Sequence, residues 1–473
     1  MTILIPFVIY VISAAINRQS LPPQLQQPPQ SFHAARARVI QEFTTATTSS
    51  FPIARAASGK DYESFLAEES RGLAKLDGVE LYPKITAIKT LGGFISALKV
   101  IDAGETRDSW QPGKPLPPKL AQWLVENADV VDLYLRFGES SGLPVRTVAA
   151  IANAPDPTQV PIPAISVVEG ARVLAAEAQR RLEMNDPAGA ERRLRAAMRI
   201  VDNYGSEPVN VMKSATGRSI LSVRKTFENM LNTDALTTSQ LTAWRKIMAD
   251  ARADVFPQGW AGVMLPLEYP AMRKRTIEKL TSTPWRTHFF GYDVKEKFYY
   301  YHKTAWGVDW PRLDRIAETS LRAMRYKRDI ARLITEHDQF FGALIQHASA
   351  PWPDIVRMPP VSYPKDNPLF PKSSNQGFHL NYLINGLRHE SELNLMRAAI
   401  EWKLAHAAPP AAITHDSPWR DPYAEAPFHM SGATTATLFY SLGPDLKDQN
   451  GLLAYDPTNG MRSPGDIVLK IRR

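Results

Sequence analysis

Apolar residues recur at three- and four-residue steps along most of the chain, which is the spacing of one buried helix face. This spacing predicts helices over residues 33–47, 61–76, 119–137, 211–231, 238–253, 310–347 and 380–406, with Thr237 or Thr238 as the N-terminal cap of segment 238–253. Alternation with period two comes only after the last of these segments, where residues 437–442 and 467–471 are predicted as short strands. The pattern therefore predicts a mainly α protein, with an irregular helical-hairpin body and a small C-terminal α+β subdomain built on an antiparallel hairpin.

The clearest helix pair spans residues 166–204. Apolar side chains line one face of each half, and Asn185-Asp186-Pro187 interrupts the pattern between them. Asp186 can accept a hydrogen bond from the first turn of the second helix, and Pro187 is well tolerated at its first position. The segment is predicted to form an αα-hairpin about the size of one tetratricopeptide unit, and no second copy lies in register with it.

Prolines divide the chain into regions. Pro155, Pro157, Pro161 and Pro163 form a joint between an N-terminal helical region, 33–154, and a central helical domain, 164–350. Seven prolines lie within 351–371, so segment 351–375 is predicted to be an extended loop without regular structure. The C-terminal helix and the β tail occupy residues 376–473.

The N-terminus has the character of an export or anchoring segment. Residues 3–16 contain no charge, yet a helix of that length spans only about 21 Å, less than the bilayer core. We interpret residues 1–17 as a membrane anchor or signal segment, followed by a linker rich in Pro and Gln over 18–32. No Lys or Arg precedes the apolar run, which a misassigned start codon would explain; a buried N-terminal element is the alternative. The expected location is the cell envelope, with the body outside the cytoplasm.

Composition narrows the classes of function. Apolar residues make up 44% and charged residues 22%, which excludes collagen-like and wholly disordered chains. Cysteine is absent, so disulfides, thiol redox pairs and cysteine-ligated metals are excluded. The length of 473 residues suggests two or three domains. The formal charge of +8 says little about partners, and the sequence contains no nucleotide-binding loop, GxSxG elbow or kinase signature.

The last 80 residues or so carry a recognisable series of motifs. A helix is followed by Asp421-Pro422-Tyr423, by a predicted hairpin, by the tag Ser441-Leu442-Gly443-Pro444-Asp445 and by Gly465-Asp466-Ile467. This series resembles the globular tail of the major pseudopilins of type II secretion. The N-terminus departs from that family, because it lacks the Gly-Phe-Thr-x-x-x-Glu signal and nearly 400 residues precede the tail.

The pseudopilin resemblance implies a calcium site. It would use the carboxylates of Asp445, Asp448 and Asp466, with the Leu442 carbonyl as a further ligand. Calcium prefers six to eight oxygen ligands, which a loop rich in Asp and Asn can supply. Three glycines, at 443, 451 and 465, would supply the unusual backbone angles of such a loop. The alternative is that Asp445 and Asp448 are ordinary turn residues.

The middle of the chain also resembles a group of uncharacterised bacterial envelope proteins. The strings LAQWLVENADVVDLYL, VLAAEAQRRLEMNDPAGAERRLRAAMRI and LTTSQLTAW carry this similarity. It implies an N-terminal anchor, a helical body and the same tail, and it implies no activity.

Four further groups of residues have more than one interpretation. The aromatic tract 285–310 could stack sugars or bases, or form a small core between helices. Arg180, Arg181, Arg192, Arg195 and Arg199 could bind phosphate, although we expect a solvated helix face. For Glu336, His337, Asp338 and His347 we expect a solvated helix end rather than a metal or acid–base site, and for Arg388-His389-Glu390 we expect a surface ion cluster.

Taken together, these features predict a non-enzymatic structural or interaction protein of the envelope with a calcium-stabilised tail. Its expected partners are the membrane, through the N-terminal segment, and other envelope proteins, but not nucleic acid. The alternative is an exported hydrolase or glycan-binding protein that uses the tract 285–310. An enzyme of that kind would place a concave pocket where the tract meets Glu336, His337 or His389.

Overall fold

The computed structural model is mainly helical, with a small antiparallel sheet at its C-terminal end. The structure describes residues 27–43, 77–97, 99–102, 105–108, 114–140, 165–205, 210–233, 236–250, 265–282, 330–359, 361, 378–406, 419–433, 436–455 and 464–472. The predicted anchor, the proline joint 155–163, the helix 61–76 and the aromatic tract lie outside these ranges. Within them, no helix is both long enough and apolar enough to span a bilayer.

Thirteen helices are present in this part of the chain. They are α1 (Gln30–Phe43), α2 (Asp77–Thr86), α3 (Leu91–Ala97), α4 (Pro118–Glu126), α5 (Ala128–Glu139), α6 (Ile165–Glu183), α7 (Pro187–Gly205), α8 (Asn210–Asn232), α9 (Thr238–Asp250), α10 (Leu265–Ser282), α11 (Ile330–Ala348), α12 (Trp352–Arg357) and α13 (Phe378–His406). Helix α1 begins inside the segment predicted as linker.

The predicted αα-hairpin is confirmed. Helices α6 and α7 pack against each other, and the backbone N–H of Gly189 donates to Asp186 Oδ1 at 2.9 Å, which is the expected N-terminal cap. A second cap confirms the start of α9: Gln240 N donates to Thr237 Oγ1 at 3.3 Å, while Thr237 N donates to Gln240 Oε1 at 2.9 Å. This reciprocal pair is a capping box.

Two sequence predictions about helices were wrong in detail. The single helix expected over 119–137 is broken at Asn127, whose backbone (φ −116°, ψ 39°) is not helical. Its side-chain amide donates to the Trp123 carbonyl at 2.9 Å and takes part in ending α4. The loop predicted over 351–375 contains helix α12. The prolines permit this helix, because Pro351 precedes it and Pro353 lies in its first turn, where a missing N–H costs nothing.

Seven strands form three small antiparallel sheets in the described part of the chain. Strands β1 (Lys99–Asp102) and β2 (Glu105–Asp108) form a hairpin. The prediction that strands occur only near the C-terminus was therefore wrong. The polar sequence of β1 and β2 gave no apolar alternation from which to predict this hairpin. The remaining strands are β3 (Arg420–Asp421) paired with β4 (Ala426–Pro427), and β5 (His429–Ala433), β6 (Ala436–Ser441) and β7 (Ile467–Arg472) in the order β5-β6-β7.

The predicted strands at 437–442 and 467–471 are therefore confirmed. Ile467, Leu469 and Ile471 are buried on one face of β7, as period two requires. Together with Phe439 of β6 they belong to the same apolar core as the helical body, which reaches from Val39 to Ile471. The tail and the helices thus share one core instead of packing as separate units.

The outer edge of β7 is paired with side chains of helix α8. Arg224 Nη1 donates to the Val468 carbonyl at 2.7 Å, and Lys470 N donates to Glu228 Oε1 at 3.3 Å. Asn232 bonds to the backbone of β7 at two positions: it donates to the Lys470 carbonyl at 2.9 Å and accepts from Arg472 N at 2.7 Å. The geometry fits because four residues of a helix advance about 6 Å, close to the roughly 6.6 Å advance of two strand residues.

Candidate functional site

The candidate site is the loop between β6 and β7, which contains the tag Ser441–Asp445 and ends at Asp466. Its backbone adopts left-handed angles at Gly443 (φ 68°), Gly451 (φ 70°) and Gly465 (φ 127°), as predicted. A Cβ on Gly465 would lie 2.7 Å from the Leu453 carbonyl oxygen, so only glycine fits there. The loop closes on itself where Asp466 N donates to the Leu453 carbonyl at 2.7 Å and Tyr455 N donates to the Asp466 carbonyl at 2.9 Å.

Asp421 holds the start of this loop. Its Oδ1 accepts from Ser441 Oγ at 2.7 Å and from Tyr423 N at 3.0 Å, while Oδ2 accepts from Leu442 N at 2.9 Å. The carboxylate is completely buried, and this burial raises the pKa of Asp421 despite the three donors. The motifs Asp421-Pro422-Tyr423 and Ser441-Leu442-Gly443, recognised separately in the sequence, thus form one hydrogen-bonded unit.

Trp352 holds the next part of the tag. Its indole Nε1 donates to the Pro444 carbonyl at 3.1 Å, and its ring packs edge-on against Tyr423. The Tyr423 hydroxyl in turn donates to the Ile384 carbonyl on α13 at 2.8 Å. The sequence assigned no role to Trp352 or Asp421: Asp421 was part of a recognised motif, and the only signal at Trp352 was that it lies between two prolines.

The predicted calcium ligands Asp445 and Asp448 are engaged in turns. Asp445 Oδ1 accepts from Lys447 N at 3.1 Å, and Asp448 Oδ1 accepts from Asn450 N at 2.7 Å. Each is an Asx-type turn, in which a carboxylate bonds to the backbone two residues further on. The other oxygen of Asp448 lies 3.3 Å from His429 Nδ1. Both residues therefore make the turn hydrogen bonds of the alternative interpretation, and these bonds leave lone pairs on their carboxylate oxygens.

Asp466 is different, because its side chain is completely buried and only half satisfied. Oδ2 accepts from Gly451 N at 2.8 Å, whereas the buried Oδ1 has no hydrogen-bond partner within the described part of the chain. Burial raises the pKa of Asp466 to about 6, and the negative charges of Asp448 and Asp445 add to the increase. An ionised Asp466 accepts backbone hydrogen bonds but has no cationic partner among the described residues.

The four predicted ligands do not form a ready-made chelating cluster. Across the described ranges, no three His, Asp or Glu side chains are grouped closely enough to hold a metal ion. For the fourth predicted ligand, Leu442, the structure places the backbone N–H on Asp421. The donor chemistry still suits calcium, because all the predicted ligand atoms are oxygens and the buried Asp466 Oδ1 needs a positively charged or donating neighbour.

A solvated helix end was predicted for Glu336, His337, Asp338 and His347. This prediction was wrong for three of these four residues. His337, Asp338 and His347 are buried, and only Glu336 is partly exposed, paired with Arg332 at 2.6 Å. His337 and Asp338 face α10, where apolar side chains of a second, smaller core surround them. The periodic pattern of α11 could not show this, because the partner residues lie 65 to 69 residues earlier in the chain.

The buried group around His337 is an ordered hydrogen-bonded network. Arg273 forms a bidentate pair with Asp338, with Nε–Oδ1 at 2.8 Å and Nη2–Oδ2 at 3.0 Å. The Tyr269 hydroxyl donates to Asp338 Oδ1 and lies 2.8 Å from His337 Nδ1, which therefore carries its proton and donates to that hydroxyl. Burial lowers the pKa of His337 to about 4, so the imidazole is neutral at pH 7.

The expected surface cluster at Arg388-His389-Glu390 was also wrong. Arg388 and His389 are buried, and Arg388 Nη2 donates to the Gly217 carbonyl at 3.3 Å. Nearby, the buried Arg224 is paired with Glu392, so helices α8 and α13 are joined by charge as well as by apolar contact. Helix α13 packs against several elements, so Arg388 and His389 are buried on it, whereas Glu390 stays partly exposed.

Four of the five arginines singled out in the αα-hairpin are matched by carboxylates. Arg180 and Arg181 bond to the buried Glu177 at 2.7 and 2.8 Å. Arg192 forms a bidentate pair with Glu139 on α5, at 2.6 and 2.7 Å, and Arg195 pairs with Glu191 at 2.5 Å. Burial lowers the pKa of Arg199, the fifth arginine of the set. These pairs join turns and helices, and they do not assemble a phosphate-binding face.

Comparison of the chain with protein-family models, with curated proteins and with solved structures finds no match.

Proposed function

We propose that this chain is a non-enzymatic structural or interaction protein of the cell envelope, tethered through its N-terminal segment, with a C-terminal tail stabilised by calcium. The observation that carries the ion site is the buried Asp466 Oδ1, which has no hydrogen-bond partner in the described part of the chain. A calcium ion held by Asp466 and by oxygens of Asp445, Asp448 and Leu442 would supply the missing positive charge. This is also the set that the resemblance to pseudopilin tails implies.

A structural role is supported by the way polar side chains are used. Asp421, Trp352 and Asn232 each bond to the backbone of another element, and together they attach the tail to the helices. The tag that leads into Asp445 is thus held rigidly at one end, while Asp466 continues directly into β7 at the other. An ion bound between them would fix the loop and thereby the strand that packs on α8. Envelope localisation and partners among other envelope proteins rest on the apolar N-terminus and on the resemblance of the middle region.

The test is thermal unfolding of the full chain, in mild detergent, with calcium, with magnesium and with chelator. Binding to the folded state alone stabilises by about 2.7 kcal/mol at 100 times Kd, so calcium should raise Tm by several degrees relative to chelator. The change Asp466→Asn should abolish this rise, because the amide keeps an acceptor for Gly451 and loses the charge.

Two further variants sharpen the result. Asp445→Asn with Asp448→Asn should weaken the calcium effect while preserving both Asx-type turns, because an Asn side-chain oxygen accepts the same bonds. Asp354→Asn is the matched control, since Asp354 is an exposed carboxylate on α12. The proposal fails if Tm is the same in calcium and in chelator, or if Asp466→Asn leaves the calcium effect intact.

A further inference from the structure

A groove of about 670 Å³ lies between helix α13 and the segment 419–425, and we call it the α13 groove. Leu387, Glu390, Asn394 and Arg397 line it from successive turns of one face of α13. The turn between α11 and α12 forms the opposite wall. The volume is typical of a small-molecule site, and none of the sequence-predicted ligands of the calcium loop lines it.

One wall of the groove is an aromatic ring fixed in place. The Arg397 guanidinium carbon lies 4.7 Å from the ring centroid of Trp419, a cation–π contact. Arg397 is buried and held by Met248, whose carbonyl accepts from Nε at 2.8 Å, and by Asn394 Oδ1 at 2.7 Å. Asn394 Nδ2 in turn donates to the Arg420 carbonyl at 3.0 Å. The half-buried indole is thus positioned before any ligand arrives, which reduces the entropic cost of binding.

The charges around the groove favour a neutral ligand. Two glutamates, Glu390 and Glu425, line it together with Arg397 and Arg420, whereas the Asp421 carboxylate is buried and already bonded to Ser441, Tyr423 and Leu442. An anionic ligand would be repelled by the carboxylates, and a cationic ligand would be repelled by the guanidinium groups. A neutral ligand rich in hydroxyl groups can donate to the former and accept from the latter.

The remaining walls of the groove are apolar. Trp352, Ile355 and Leu383 line it with Pro351 and Pro422. A ligand must therefore combine hydroxyl groups with apolar faces, which is the chemistry of a sugar ring: its C–H faces pack on aromatic rings and its hydroxyls bond at the edge. A polyproline peptide suits the site less well, because such ligands dock on series of exposed aromatics and Trp352 is buried.

We propose that the α13 groove binds a neutral oligosaccharide, with one ring stacked on Trp419 and with hydroxyl groups bonded to Glu390 and Arg420. This site is separate from the aromatic tract 285–310 that the sequence suggested, and it lies at Glu390 instead of at Glu336, His337 or His389. Binding alone is proposed, without cleavage of a glycosidic bond.

The experiment is isothermal titration calorimetry on the full chain with three probes: cellotriose, maltotriose and triacetylchitotriose. At least one trisaccharide should bind the unaltered protein. Trp419→Leu should weaken that binding at least tenfold, because it removes the aromatic face and keeps an apolar side chain. Ala350→Trp should weaken it as much, because Ala350 lines the groove and a larger side chain there occupies the space of the ligand.

Arg357→Ala is the control, since Arg357 is 78% exposed on the adjacent helix α12 and does not line the groove. Its affinity should equal that of the unaltered protein. Thermal unfolding of each variant checks that it is folded. If the loss of the Trp419–Arg397 contact prevents Trp419→Leu from folding, Ala350→Trp provides the test. The proposal is overturned if no trisaccharide binds, if Ala350→Trp binds as tightly as the unaltered protein, or if Arg357→Ala loses affinity to the same extent as Trp419→Leu.

Discussion

At the scale of single residues, burial decides whether a side chain is charged. His337 is an example, because it is buried beside Tyr269, Asp338 and Arg273. An exposed histidine would have a pKa near 6.5, but burial lowers the pKa of His337 to about 4. Asp466 shows the opposite shift, because burial disfavours the charged form of an acid and of a base alike. Neither shift is visible in the sequence, where the pattern predicts a solvated helix end for His337 and the pseudopilin resemblance implies a calcium ligand at Asp466.

The lowered pKa of His337 predicts a pH dependence of stability. The unfolded chain binds a proton near pH 6.5 while the folded protein does not until about pH 4, so the contribution is fully present above pH 6.5 and is lost as the pH falls towards 4. The change His337→Gln should flatten the pH dependence of the free energy of unfolding between pH 7 and pH 4, measured by urea denaturation. A curve with the same slope as that of the unaltered protein would contradict this.

At the scale of single elements, helix ends show which signals in the neighbouring sequence were sufficient to predict where a helix begins or ends. Asp186-Pro187 and Thr237 each began a helix as predicted, because a cap needs only neighbouring backbone N–H groups. The break at Asn127 and the short helix α12 were not predicted. Asn127 lies within an apolar pattern that continues on both sides, and α12 lies among prolines that happen to occupy tolerated first-turn positions.

The cap at Asp186 predicts a measurable loss on mutation. Asp186→Ala removes the bond to Gly189 N and the ion pair with Arg181 at 3.0 Å, and it should lower the free energy of unfolding by about 1 kcal/mol. The bond to Gly189 N lowers the pKa of Asp186, so the loss should shrink as the pH falls below the ordinary value of 3.8. Asp132→Ala is the comparison, because Asp132 forms an exposed pair with Arg136 and should change stability by less than about 0.5 kcal/mol.

At the scale of the whole molecule, the tail is part of the helical body. Strands β6 and β7 pack their apolar faces against α13, and the outer edge of β7 bonds to α8. An edge strand ordinarily presents unpaired backbone groups to other chains. Here the side chains of Arg224, Glu228 and Asn232 take those positions, so this edge is closed to strand addition.

Asn232 is the most direct test of this attachment. Asn232→Ala removes both bonds to β7 and should lower the free energy of unfolding by about 1–2 kcal/mol, at roughly 1 kcal/mol for each hydrogen bond. Amide hydrogen exchange at Arg472 should accelerate, because this N–H loses its acceptor. Asn127→Ala should leave exchange at Arg472 unchanged, since Asn127 bonds only within its own helical region. Equal exchange in the two variants would mean that the α8 contact does not protect β7.

The sequence by itself determined the helical class, the αα-hairpin, the two capped helix starts, the last two strands and the left-handed glycines at 443, 451 and 465. Each depends on residues close together in the chain, where periodicity, capping and backbone freedom act without reference to the rest of the molecule. The tertiary structure alone decided the burial of His337 and Arg388, the role of Asp421 in holding the tag, the pairing of β7 with α8 and the α13 groove. These depend on elements between 20 and about 245 residues apart, and whether a polar side chain meets solvent or a partner is fixed only when those elements pack.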